Sequence, residues 1–304
     1  MPTQTSSSPS RFLDLRSLGA LAHMRFVTRQ QIEGAYSGRH RSRQKGGAGE
    51  FVDFREYSAG EDLRRLDWKV LARTGKGFVR LFQDETNLLC TVVIDASGSM
   101  QFGGGRNGEG SKLQYVQYLT TALTHMIAGQ QDQVGLAVVS DGLADVFPSG
   151  GTPSHVQQLQ RTIEAITTRP ATKLADSLRE LFERLSRRGV LLVASDFLVD
   201  DLEAVFASIR LFRHRRWEVI VLHIIHPEEE RLPDGLAYRF EGLEGEGQVD
   251  CTPEDIRRTY ESRFAAHVAS VRTLALSTGS DYRRVSTAVP YLQTLGSFLV
   301  ERSG

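Results

Sequence analysis

The chain has 304 residues, 37 of them basic and 37 acidic, a balance that excludes any general attraction to nucleic acid or to an anionic membrane. Hydrophobic residues at 40% and charged residues at 24% are ordinary globular values and exclude a disordered chain, except in segments such as the Ser-, Thr- and Pro-rich stretch 1–10. The length accommodates one main domain with an N-terminal addition.

Two cysteines, Cys90 and Cys251, provide neither a disulfide framework nor a zinc knuckle, and they suit a reducing compartment. The start lacks the apolar stretch of a signal peptide, and no segment reaches the roughly 20 apolar residues that cross a bilayer. A cytoplasmic protein with no membrane span is therefore the expectation.

Taken in order, Phe12, Leu15, Leu18, Leu21, Ala22, Phe26 and Val27 recur every three or four positions and predict an amphipathic helix over 11–32 that packs on the body. A basic, Gly-rich loop with Arg39, Arg41, Arg43 and Lys45 follows, so residues 1–49 form an N-terminal helix and loop. Residues 50–87 mix aromatic and basic side chains. They predict a short helix over 63–72 and a strand over 77–82, in a segment packed on the main domain.

Residues 88–304 then alternate. Apolar runs predict strands over 88–94, 134–139, 190–194 and 219–225, with weaker ones over 144–147 and 281–285. Helical spacing fits 113–127, 156–166, 174–185, 202–212 and 254–276. This alternation implies an α/β fold, a doubly wound and mostly parallel sheet flanked by helices. A Gly- and Glu-rich stretch within 232–251 interrupts the rhythm and reads as a small hairpin insertion.

In such sheets ligands bind beyond the carboxyl ends of the strands, where the strand order reverses. Asp95-Ala96-Ser97-Gly98-Ser99 follows the strand over 88–94, Thr172 precedes a helix, and Ser195-Asp196 closes the strand over 190–194. Asp95, Ser97, Ser99, Thr172 and Asp196 can share one crevice. Their carboxylates and hydroxyls suit a hard cation such as Mg2+, with Mn2+ or Ca2+ as alternatives. An acidic residue of a partner would fill the open position on that ion. A plain turn capping the next helix is the bland alternative, and Thr172 and Asp196 weigh against it.

The pattern Asp95-x-Ser97-x-Ser99 with Thr172 and Asp196 resembles the metal-ion-dependent adhesion site of von Willebrand factor A domains, over roughly residues 88–300. One departure is Lys173, a cation beside the expected metal. Upstream, the run from Arg55 to Trp68, with Ala72-Arg73 and Glu85, looks like the signature of the domain-of-unknown-function 58 proteins. That resemblance implies a partnership with MoxR-type AAA+ ATPases in chaperone-like roles.

Arg55, Arg64, Arg65 and Trp68 are candidate partner-binding residues, because Arg and aromatic side chains are enriched at interfaces. The other reading pairs Arg64 and Arg65 with Glu61, Asp62 and Asp67 and buries Trp68 as core. Charge runs are more often pairing networks than sites, so the second reading is preferred.

Other signals carry less. Gly105 to Lys112 lacks the Gly-Lys-Ser/Thr order of a phosphate loop, and residues 102–110 read as a flexible loop flanking the site. His223 and His226 on one strand face opposite sides and cannot chelate one ion. Arg210, Arg213, Arg215 and Arg216 read as a solvated helix end. The functional expectation is a non-enzymatic, cation-dependent interaction module, an adaptor or co-chaperone for a MoxR-type AAA+ ATPase or its client. A metal-dependent hydrolase or phosphotransferase using the same crevice is the alternative, and it lacks an evident acid or base. A third reading leaves the cation site empty and binds through the Arg55–Arg73 surface.

Overall fold

The computed structural model describes residues 10–21, 23–28, 50–58, 66–83, 88–103, 110–170, 173–235, 237–245 and 247–303. They fall into two compact units, Gln30–Leu88 and a larger one made of Met1–Arg29 with Leu89–Gly304.

In the smaller unit β1 (Glu50–Glu56) pairs antiparallel with β2 (Phe78–Gln83), Phe54 opposite Arg80. Between them α2 (Trp68–Thr74) starts at Asp67, whose carboxylate accepts the amides of Lys69 and Val70. It stops at Gly75, which takes the left-handed conformation common after helices (φ 69°). Trp68 is 59% exposed, so the reading that made it core is corrected. It is the first residue of α2, and the buried residues beside it are Leu66 and Asp67. Arg55 sits on β1 opposite Val79, whereas Arg64 and Arg65 lie outside the described residues.

The larger unit is built on β3 (Leu89–Asp95), β4 (Gln133–Val139), β5 (Leu143–Gly150), β6 (Val190–Ser195), β7 (Glu218–Ile225) and β10 (Asp281–Ser286). Their order across the sheet is β10-β7-β6-β3-β4-β5, parallel except for the antiparallel edge strand β5. The expected doubly wound, mostly parallel α/β architecture is the one observed. The helices of this unit are α1 (Leu15–Leu18), α3 (Lys112–Gly129), α4 (Pro153–Ala165), α5 (Leu174–Arg184), α6 (Leu202–His214), α7 (Pro227–Glu230), α8 (Pro253–Ser277) and α9 (Tyr291–Ser303). Between α7 and α8, β8 (Tyr238–Glu241) and β9 (Gln248–Cys251) form an antiparallel hairpin.

Caps fix where the helices begin. Ser111 accepts the Gln114 amide ahead of α3, Thr152 that of His155 ahead of α4, and Asp201 that of Ala204 ahead of α6. Pro occupies the first helical turn of α4, α7 and α8. The central strands β3, β6 and β7 are buried along their whole length, as strands covered on both faces must be. On one face Val93, Val193 and Val221 join Leu178, Phe206, Ile209 and Val271 in a single apolar cluster. Burial of each such side chain stabilises by roughly 1.5–3 kcal/mol.

Two expectations are corrected here. Within the described part of 11–32 the helix shrinks to α1 and a 3-10 turn at Gly19–Leu21, and residues 23–28 carry no regular structure. Side chains of the body satisfy their backbone instead. Gln130 accepts the Phe26 amide and donates to the Met24 carbonyl, and Arg302 donates to the Val27 carbonyl at 2.7 Å. Phe12 packs edge-on against Tyr118 and Phe26 against Phe298, so the segment still docks on the body.

The basic end of α6 is also more than a solvated terminus. Arg213 donates to the Trp217 carbonyl, and Arg215 lies 3.8 Å over the Phe182 ring while donating to the Phe182 carbonyl. Among the described residues no helix is long and apolar enough to cross a membrane.

Candidate cation site

Strands β3 and β6 lie side by side, Ile94 opposite Ala194, where the chain leaves the sheet in opposite directions. Their carboxyl ends are therefore the crevice of a doubly wound sheet. Asp95 is the last residue of β3, and Ser97 follows it in extended conformation ahead of a 3-10 turn, Gly98–Gln101, that carries Ser99. Asp95 Oδ1 accepts the Ser97 amide at 2.9 Å, and its Oδ2 accepts the Ser195 hydroxyl at 2.5 Å. The Ser97 and Ser99 hydroxyls are 3.1 Å apart. Asp196 follows β6, hydrogen-bonded to Ser99, and its Oδ1 accepts the Leu198 amide at 3.1 Å. Phe197, buried and in the left-handed region (φ 56°), turns the chain sharply just after it. Asp95, Ser97, Ser99 and Asp196 thus come together, three of them almost wholly buried.

Thr172 lies outside the described residues. On its N-terminal side, the Arg169 amide donates to the Ala96 carbonyl at 2.9 Å, and Arg169 makes a parallel bridge with Ser97. On its C-terminal side, the Lys173 amide donates to the Ser140 carbonyl at 2.7 Å, while the Lys173 side chain is exposed.

The buried cation of the site is a different one, Lys112, the first residue of α3. Its ammonium donates to Asp196 Oδ2 at 2.6 Å and to Glu229 Oε1, and it has no solvent exposure. Glu229 is fixed in turn by the His226 amide at 2.8 Å, and the His226 ring packs on Phe102. Sequence reasoning missed Lys112 and Glu229. The available signal was a lysine directly after the cap Ser111, at the head of a helix that buries Leu113, Val116 and Leu119.

Burial and the Asp196 charge push the Asp95 carboxyl up to about 6, against the hydrogen bonds from Ser195 and Ser97. Burial acts upward on Asp196 too, but the charge and hydrogen bond of Lys112 outweigh it and hold Asp196 below the usual carboxylate range. Burial raises Glu229, partly opposed by Lys112. A proton shared by the two aspartates therefore resides on Asp95. The locale carries more negative charge than Lys112 neutralises.

Among the described residues no group of three or more His, Cys, Asp or Glu side chains is arranged to hold a metal. The donor set here is of another kind, two carboxylates and two hydroxyls, all oxygen, which suits a small hard cation that keeps some of its water. The hairpin β8–β9 also reaches this point. Glu244 Oε1 accepts the Ser99 amide at 3.1 Å, and a Cβ on Gly98 would lie 2.3 Å from the Leu243 carbonyl oxygen, so only glycine permits that approach. His223 and His226 diverge: the first meets Tyr282 and His267, the second caps α7.

Comparison with known proteins adds the family. The chain is 26% identical over 301 residues to the uncharacterized protein Rv1480 of Mycobacterium tuberculosis, an alignment covering 95% of this chain and 90% of that one. The uncharacterized protein Mb1516 of Mycobacterium bovis matches to the same extent. Among solved structures it is similar to the conserved hypothetical protein BatB of Bacteroides thetaiotaomicron, at 14% identity and a TM-score of 0.48 over 71% of this chain and 99% of that one. It is also similar to the VWA domain of SpRpn10, at 13% identity and a TM-score of 0.39 over 69% of this chain and 94% of that domain. The model of the family described as "Protein of unknown function DUF58" matches residues 53–270, and the chain belongs to that family.

Proposed function

We propose that this protein is a non-enzymatic interaction module that holds a divalent cation, Mg2+ by donor chemistry, at Asp95, Ser97, Ser99 and Asp196, with Thr172 as a further donor. The observation that carries the reading is the meeting of Ser97 and Ser99 hydroxyls, 3.1 Å apart, beside an aspartate whose carboxyl is pushed up to about 6. Three buried carboxylates, Asp95, Asp196 and Glu229, with a single ammonium that reaches only the last two, favour an added positive charge. With few charged ligands a bound ion stays electrophilic, and it would supply a coordination position for an acidic residue of a partner. Asp95 and Asp196 would hold the ion, and Ser97 and Ser99 would orient it. Lys112 is a positioning residue that keeps Asp196 ionised and in place.

The family resemblance implies the partner, a MoxR-type AAA+ ATPase or its client. The hydrolytic alternative still lacks a base. Of the further carboxylates, Glu229 is engaged by Lys112 and by the His226 amide, and Glu244 accepts the Ser99 amide.

Titration calorimetry with Mg2+ and Mn2+ tests the site, and capture of the purified MoxR-type ATPase of the same organism tests the partner. The native chain is expected to bind one ion and to capture the ATPase only with the ion present. Asp95→Ala is expected to lose both. Retention of cation binding in Asp95→Ala overturns the site, and capture that persists in chelator overturns its role in binding.

A further inference from the structure

The hairpin β8–β9 has little to hold it down. Tyr238 is 39% exposed, Leu243 40% and Val249 62%, so the hairpin buries few apolar side chains. Elements of this kind detach at low free-energy cost. Its tip is nevertheless placed on the one spot where a visitor would matter. The Gly242 amide donates to the Gly247 carbonyl to close the tip, and Gly245, in the left-handed region (φ 94°), lets the chain turn just after Glu244. Glu244 then reaches 145 residues back in sequence to the Ser99 amide, and the Leu243 carbonyl lies against Gly98. An acidic side chain, presented between glycines, thus sits in the crevice beside the donor set.

We infer that the hairpin tip is the internal occupant of the cation site: Glu244 stands where the partner's acidic residue binds, and the partner is a glycine-flanked acidic loop that must displace it. This rests on the cation reading above. The tip also acts as a template. Gly98, lacking a Cβ, lets the Leu243 carbonyl and the Glu244 stem approach closely, which suits a tight turn; the Ser99 amide takes an oxygen acceptor, and the cation favours a charged carboxylate in that role. Displacement weakens apparent affinity in inverse proportion to the fraction of time the tip is away, so a tip in place nine-tenths of the time costs about tenfold.

The probe is a synthetic peptide with the sequence of Tyr238–Cys251, Cys251 replaced by Ser, followed by fluorescence anisotropy with full-length protein in saturating Mg2+. The Glu244→Gln protein, isosteric at a side chain outside the core, is expected to bind this peptide about tenfold tighter than the native protein does. The same peptide carrying Glu244→Gln is expected not to bind either protein. Equal affinity of the two proteins, no binding by either, or undiminished binding of the Gln peptide overturns the inference. A parallel titration with Mg2+ alone separates the causes. Cation binding by the native protein together with any of those peptide results removes the hairpin's role and leaves the cation site standing, whereas no cation binding by either protein removes both.

Discussion

The two ends of the central sheet each bury a charge cluster, and the clusters differ in what they leave unfinished. At the amino end Arg302 of α9 donates to Glu218 at the start of β7, to Asp281 at the start of β10 and to the Val27 carbonyl, and it lies over Phe26 and Phe298. One guanidinium there ties four separate segments together. At the carboxyl end Lys112 serves Asp196 and Glu229, and Asp95 meets only hydroxyl and amide donors, with its carboxyl pushed up to about 6. The first cluster has the form of a fastening, and the second that of a receptor for charge.

The strongest test of that contrast removes each cation in turn. Arg302→Met and Lys112→Met are each expected to cost about 3–5 kcal/mol in urea denaturation, because each strands buried carboxylates. Saturating Mg2+ should recover about 1 kcal/mol or more of the Lys112→Met loss by binding the folded state, and none of the Arg302→Met loss. Equal rescue of both, or of neither, would abolish the distinction.

A smaller effect of opposite sign is expected from Asp95→Asn in chelator. The Asp95 carboxyl rises from 3.8 unfolded to about 6 folded, so the folded state binds the extra proton between those values and stability falls as pH rises through that window. Asn retains an acceptor for the Ser97 amide and carries no charge. The variant should therefore be more stable than the native protein by roughly 1–3 kcal/mol at pH 7, and the gap should close by about pH 4. A gap that does not change with pH would mean that Asp95 is already compensated.

The smallest effect is expected in the other unit. Trp68→Ala should shift stability by less than about 0.5 kcal/mol, since that side chain is exposed. Weakened capture of the ATPase by this variant, with cation binding intact, would point to a second surface on that unit.

Much of the sheet is legible in the sequence because β3, β6 and β7 are buried on both faces and read as unbroken apolar runs. The segment ahead of them misleads because its periodic apolar residues serve an irregular strap, with Gln130 and Arg302 replacing the hydrogen bonds of a helix. In α9, Tyr291, Leu295 and Phe298 keep helical spacing, but the importance of Arg302 rests on contacts that no local pattern encodes. At the site, Asp95, Ser97, Ser99 and Asp196 are visible because polar turns directly follow apolar strands. Lys112, Glu229 and Glu244 arrive from distant elements. Lys173 drew attention by adjacency, yet its side chain is exposed and the buried ammonium belongs to Lys112.

The strap over residues 10–28 also sets an order of events during synthesis. Its partners are made long after it: the Gln130 amide that holds Phe26 follows 104 residues later, and the Arg302 that holds Val27 follows 275 later. Until α9 emerges, Phe12, Leu18, Leu21 and Phe26 have no complete surface to cover them. Such late, long-range closure keeps sticky surface open until those partners are made. The nascent strap therefore presents exposed apolar surface until α9 is made and Arg302 reaches Val27.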